Sequence, residues 1–332
     1  MERFEQELQE LARKGNLRKL PLVEQEGGYV IKNGQRMLNV SSNDYLGLAG
    51  NCTWRDRFLQ TLSAGNFLLT SSSSRLLTGN FPIYEELEEE LAHLFGTEAA
   101  LVLNSGYHAN TGILPAVTDS QTLILADKLV HASLIDGIRL STARCIRYRH
   151  NDLNQLERLL EMHHTAYRNI IIVTESIFSM DGDRADLKAL VALKHRYGNA
   201  EEDNCILDID FLVGTFGKAA ASAGAYIVCK KVIREYLVNR MRTLIFTTAL
   251  PPVNVAWTLF VIRQLKEMSQ ERKHLATISE LLRNTLREKG YACPSVSHIV
   301  PLIIGDSQQT ILCAEALQQN GFYALPVRPP TV

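Results

Sequence analysis

Apolar and polar positions along the 332 residues fall into three textures. Residues 2–14 carry Phe4, Leu8 and Leu11 at helical spacing, which predicts a short amphipathic helix. Two β-like runs, 29–32 and 36–40, flank the turn Asn33-Gly34. This region, residues 1–45, reads as an N-terminal arm. From Tyr84 the pattern turns regular: Tyr84, Leu87, Leu91 and Leu94 make a helical stripe that Gly96 stops. Short apolar runs then recur at 99–103, 122–126, 145–148, 169–174, 210–214 and 225–229, with helical segments such as 153–162 and 187–197 between them. Apolar strands alternating with amphipathic helices predict an α/β fold, a mostly parallel sheet covered by helices on both faces, over residues 46–245. After Pro251-Pro252 come a long helical region to about Lys289, an apolar run at 298–304 and a helix at 308–319. These predict a smaller α+β C-terminal domain over 246–332, which reads as truncated.

Composition narrows the class. Hydrophobic residues make up 46% and charged residues 21%, and the formal net charge is −1. No overall field draws such a chain to nucleic acid or an anionic membrane. The six cysteines are scattered without a C-x-x-C pair, as in a cytoplasmic protein with reduced thiols, and no metal is expected. The start, MERFEQE, lacks the basic and apolar pattern of a signal peptide, and no apolar run approaches bilayer length.

Candidate chemistry gathers at predicted strand ends. Phe211–Lys218 (FLVGTFGK) runs from an apolar strand into a Gly-rich turn ending in one lysine, with small residues following. Burial and a neighbouring cation prepare a lysine to form a Schiff base. Taken alone, the segment fits a surface lysine in an ordinary turn equally well. Asn104–Asn110 (NSGYHAN) places Gly106 at a strand-to-helix junction, where backbone N–H groups meet phosphate; a plain turn fits this motif too. Its spacing is neither G-x-G-x-x-G nor G-x-x-x-x-G-K-[ST], which disfavours a dinucleotide or a nucleoside triphosphate. His131, past the run 122–126, is placed to stack on a heteroaromatic ring or move a proton, although a lone histidine is more often structural. Ser179 and the carboxylates of TESIFSMDGD (174–183) sit at another strand end. Four polar clusters at four strand ends converge on one crevice in this architecture.

On these residues the chain resembles the α-oxoamine synthases, a branch of the fold-type I pyridoxal-phosphate enzymes. SSNDYLGL (41–48), LVHASLIDG (129–137), FSMDGD (178–183) and GTFGKA (214–219) carry the resemblance over essentially the whole chain. FTTALPP (246–252) and SAGAY (222–226) fit the biotin-pathway members, which join L-alanine to a pimeloyl thioester on acyl carrier protein or coenzyme A, better than glycine C-acetyltransferase. The resemblance implies that Lys218 holds the cofactor and moves the Cα proton, and that His131 stacks on the ring. It implies cofactor contacts from Gly106, Tyr107, Ser179 and Thr215, and substrate contacts from Arg18, His131 and Thr331. Thr247 and Thr248 would reach the neighbouring subunit's phosphate, which implies a cytoplasmic homodimer with shared active sites. The alternatives are a glycine C-acetyltransferase-like enzyme and a non-catalytic subunit on the same fold.

Two departures stand out. Relatives carry a V-D-E-A-H-x-x-G strand end between the helix ending at Tyr197 and the lysine strand; its aspartate pairs with the pyridinium nitrogen and its histidine meets the ring oxygen. Here Tyr197-Gly198-Asn199-Ala200 runs directly into Glu201-Glu202-Asp203-Asn204. The resemblance implies that a strand and its loop, about twenty residues, belong there, because a helix needs a strand to return to. Relatives also continue beyond Val332, with an arginine that grips the amino acid's carboxylate.

Overall fold

The computed structural model describes residues 1–63, 67–198, 208–329 and 331. Helix α1 (Glu2–Arg13) leads into strands β1 (Glu24–Glu26), β2 (Tyr29–Lys32) and β3 (Gln35–Asn39). Helices α2 (Cys52–Leu59) and α3 (Pro82–Phe95) precede the alternating core: β4 (Ala99–Leu103), α4 (Gly106–Val117), β5 (Thr122–Asp127), α5 (Ala132–Leu140), β6 (Arg144–Tyr148), α6 (Leu153–His163), β7 (Asn169–Val173) and α7 (Leu187–Tyr197). Strands β8 (Leu212–Thr215) and β9 (Ala225–Cys229) follow, then helices α8 (Lys231–Arg240), α9 (Arg242–Ile245), α10 (Pro252–Leu265), α11 (Ser269–Glu288) and α12 (Ser307–Gln319), and finally β10 (Phe322–Tyr323).

Between β2 and β3, Asn33 and Gly34 both take positive φ (52° and 78°), the backbone that a tight hairpin demands. This hairpin does not stand apart as an arm: β10 adds to β3 in parallel, so the two ends of the chain share one four-stranded sheet. Nor does the packing change at residue 246, because α10 lies on α3 and buries Val255, Leu259 and Ile262 in the core of the alternating region. The apolar run at 298–304 forms no strand.

The expected mostly parallel sheet is modified in the structure. Strands β6, β5 and β7 pair in parallel, as crossover helices require, whereas β8, β9 and β4 pair antiparallel. The reason is local. Only the turn 216–224 separates β8 from β9, too short for a crossover, so β9 must run back along β8.

Among the described residues the sheet is in two pieces, β6-β5-β7 and β4-β9-β8. Strand β5 has a partner on each side and all six of its residues are buried; among the described residues β7 and β8 have partners on one side only, and most of their residues are half-buried. Their facing edges border a slot. The junction after Gly198, where the sequence predicts a missing strand, lies outside the described residues from 199 to 207. The last turn of α7 is tied to the start of the lysine strand, with Lys194 Nζ donating to Asp208 O (2.5 Å) and pairing with Asp210 (2.9 Å).

One buried charge cluster holds α3 to the sheet. Glu88 accepts from the backbone N–H of Val102 (2.8 Å), Arg75 (2.5 Å) and Arg234 (2.6 Å). Truncating the acid strands two guanidinium groups, one of them largely buried. Glu88→Ala is therefore expected to cost about 3–5 kcal/mol, read as a drop in the midpoint of urea unfolding. Among the described residues no helix is long and apolar enough to cross a membrane.

Candidate active site

The slot opens at the carboxyl ends of β5 and β7 into a cavity of about 1060 Å³. Its mouth is lined by Gly106, Tyr107, His131, Glu175, Ser179, Thr215 and Lys218, and its depth by the β7 and β8 edges, among them Ile170, Ile172, Phe211 and Val213. Six residues from four separate motifs thus meet around one space: Gly106, Tyr107, His131, Ser179, Thr215 and Lys218.

The phosphate-like end is built from α4. Ser105 caps the helix by accepting from the N–H of His108 (3.2 Å), leaving Gly106 at the first turn with free backbone donors and the positive end of the dipole. A Cβ on Gly106 would lie 3.6 Å from the Cβ of Thr215, so the helix start and the lysine turn are neighbours. Tyr107 points outward, and its hydroxyl donates to Asp136 Oδ2 (2.8 Å).

His131 is held more firmly than sequence reasoning foresaw. It caps α5, with its Nδ1 accepting from the N–H of Ser133 (3.2 Å) and lying 2.7 Å from the Ser133 hydroxyl. Asn110 Nδ2 donates to that same hydroxyl (2.9 Å). Donors therefore run Asn110 to Ser133 to His131, which leaves Nδ1 an acceptor and puts the neutral ring's proton on Nε2. The contact is possible because α4 and α5 nearly touch: a Cβ on Gly137 would lie 2.4 Å from the carbonyl oxygen of Asn110, a place only glycine fits.

Lys218 projects from a braced turn. Phe216 is buried and its N–H donates to Gly224 O (3.0 Å); Ser222 N–H donates back to Phe216 O (3.0 Å); Ala221, at φ 44°, is pinned by Trp257 Nε1 (3.0 Å). A left-handed alanine costs about 1–2 kcal/mol, so packing enforces this turn. The Thr215 hydroxyl donates to Gly224 O (3.1 Å) and accepts from the N–H of Gly217 (3.2 Å). Among the described residues the Glu175 carboxylate, on the same cavity, and His298, from the C-terminal region, lie within electrostatic reach of Lys218. Burial first, then the Arg184 and Lys218 charges, hold the His298 imidazole below its ordinary value. Glu175, Asn110, Ser133 and His298 were not singled out in the sequence, although the first three lie inside motifs that were.

Ser179 sits in a turn anchored by histidine. His150 donates from Nδ1 to Asp127 Oδ1 (2.9 Å) and from Nε2 to Asp183 Oδ2 (2.6 Å), and Asp127 is fully buried. Two carboxylates on two ring nitrogens call for an imidazolium. Burial alone lowers its pKa, but the two acids outweigh it and raise the group above the ordinary histidine value. A raised folded value gives stability that is complete below about pH 6.5, the free-histidine value, and is lost as pH rises through the folded one. Thermal midpoints are expected to fall as pH rises above about 6.5, and His150→Gln to flatten that slope.

Arg18 and Thr331, expected on the substrate side, meet each other: Arg18 Nη2 donates to Thr331 Oγ1 (2.8 Å). Neither lines the cavity, nor do Thr247 and Thr248; Thr248 O accepts from Asn104 Nδ2 (2.6 Å).

A fold-type I architecture with a lysine, a histidine and a helix N-terminus around one cavity defines a class, and the comparisons agree with it. The sequence matches aminotransferase class I and II over residues 35–200 and again over 195–332, and the chain belongs to that family. A putative 8-amino-7-oxononanoate synthase of Glaesserella parasuis is 55% identical, covering 100% of this chain and 93% of the relative; another, of Neisseria meningitidis serogroup A, is 52% identical with the same coverage. The first alignment spans 354 positions against the chain's 332 residues, and the family match breaks at 195–200, beside the open slot. Among solved structures, the serine palmitoyltransferase of Sphingomonas wittichii superposes with TM-score 0.86 at 27% identity, over 99% of this chain and 88% of that one. An 8-amino-7-oxononanoate synthase of Francisella tularensis superposes with TM-score 0.71 at 25% identity, over 89% of each.

Proposed function

We propose that this chain is a pyridoxal-phosphate-dependent α-oxoamine synthase that condenses L-alanine with a pimeloyl thioester, carried on acyl carrier protein or coenzyme A, to give 8-amino-7-oxononanoate in biotin synthesis. The observation that carries the reading is the convergence of Lys218, His131 and the Gly106 helix start on one cavity. That donor set fits pyridoxal phosphate at three places: an amine for the aldehyde, an imidazole for a ring face and free N–H groups for the phosphate. When bound, the cofactor supplies an electron sink for the Cα of the amino acid.

The chain's own residues do the rest. Lys218 would anchor the cofactor through its amine and hold or take a proton at its Nζ. His131, fixed through Ser133 and Asn110, presents a ring whose Nε2–H faces the pocket and orients what stacks there. Gly106 and Thr215 hold the phosphate end, and Ser179 offers a hydroxyl beside the ring. Arg18, with Thr331, is placed in the substrate-binding role for the acyl chain's carboxylate, in a homodimer whose sites Thr247 and Thr248 complete. Adding L-alanine and pimeloyl-CoA to the pyridoxal-phosphate-loaded protein is expected to release free thiol, with glycine and acetyl-CoA giving far less. Equal rates with the glycine pair would redirect the assignment to a glycine C-acetyltransferase-like enzyme.

The split sheet favours a second reading, a non-catalytic subunit on the same fold. Such a protein would give no visible band with pyridoxal phosphate.

A further inference from the structure

We infer that Glu175 is a positioning residue of this pocket, setting the pose of His131 and the charge around Lys218. It stands two residues past β7, at the rim where the sheet is open, and lines the cavity together with both partners. Its Oε1 accepts from the backbone N–H of His131 at 2.5 Å. That N–H belongs to the cap residue of α5, so the bond fixes where the helix begins. The ring of the same histidine is fixed separately through Ser133. Main chain and side chain of His131 are thus held from opposite sides, one by an acid and one by a hydroxyl.

The charge matters as much as the bond. Glu175 is half-buried and shares the cavity wall with His131 at the start of α5 and Lys218 beyond β8, while Asp127 at the end of β5 adds negative charge nearby. Burial raises its carboxyl above the ordinary range and Asp127 adds to this; the His131 N–H and the Lys218 charge oppose it. Glu175 therefore puts an acid on the cavity that holds Lys218 while aligning the imidazole of His131.

The assignment rests on Lys218 being the reactive amine of the pocket. The test runs on cofactor-free protein, so it is decided apart from pyridoxal-phosphate binding, whose failure would defeat the earlier reading alone. Lys218 acylation by acetic anhydride at pH 8 is followed by mass spectrometry, and amide exchange at His131 by deuterium uptake. Glu175→Gln keeps an oxygen for the His131 N–H and loses the charge; acylation is expected to rise several-fold with His131 exchange unchanged. Glu175→Ala loses both, and His131 exchange is expected to rise about tenfold as well. Unchanged acylation in Glu175→Gln overturns the inference, as does unchanged His131 protection in a folded Glu175→Ala.

Discussion

Inserting a strand and its loop after Gly198, copied from the 55% identical relative, is expected to stabilise the protein by about 5 °C and to raise its turnover by about 10²–10³-fold. The stability gain comes from the two facing edges. Among the described residues, strands β7 and β8 each leave a row of backbone groups without strand partners, and their apolar side chains lie half-buried beside the cavity. A strand between them pairs both rows and covers Ile170, Ile172, Phe211 and Val213. Pairing a few hydrogen bonds at about 1 kcal/mol each and burying apolar area at about 25 cal/mol per Å² gives about 3–5 kcal/mol. In a protein of this size each kcal/mol shifts the midpoint by about 1–2 °C. The rate gain comes from the acid that relatives place on that strand. One preorganised charge in a buried site is worth about 10²–10³ in rate, and the described residues offer only Glu175 beside Lys218 in its stead. Differential scanning calorimetry and thiol release check the two halves independently. A soluble insertion variant with the same midpoint as the parent would mean that the slot does not receive a strand.

The second large effect belongs to Lys218. Adding pyridoxal phosphate to the unmodified chain is expected to produce a visible absorption band that borohydride fixes to a single lysine, and Lys218→Ala to abolish it. Among the described residues the cavity's other amine, Lys194, is committed to Asp208 and Asp210 at the base of the slot. Non-covalent affinity should survive in part, because Gly106 and His131 are untouched, so quenching of intrinsic fluorescence by the cofactor is expected to persist at higher concentration. Peptide mapping of the reduced adduct identifies the lysine; a band retained in Lys218→Ala would remove the basis of the proposed function.

Much of this molecule was legible before its structure. Helices α6 and α7 and strands β2 and β4 follow from apolar spacing because each buries one face against a single layer. The return strand expected after α7 falls at residues 199–207, outside the described residues. Strand direction was not legible: β9 reads like its parallel neighbours, because a strand buried on both faces looks alike in either direction, and only the short 216–224 turn decides. The partners of His131 escaped for a different reason. Asn110 and Ser133 are 23 residues apart, and Glu175 lies 44 residues beyond His131. Such pairings arise from helix approach and strand order, which local periodicity does not encode. Lys218 was placed correctly in a turn, yet its neighbour is an acid, because the residues that face it come from β7 and the C-terminal region.

The near-contact of α4 and α5 at Gly137 has one more implication. With no side chain between them, the two helices cannot slide, so the Gly106 end and the His131 ring behave as the jaws of a caliper set at one opening. A ligand is measured by its span between phosphate and ring as well as by its chemistry. Widening the jaws with a single methyl at Gly137 would leave every contacting residue in place and still spoil the gauge.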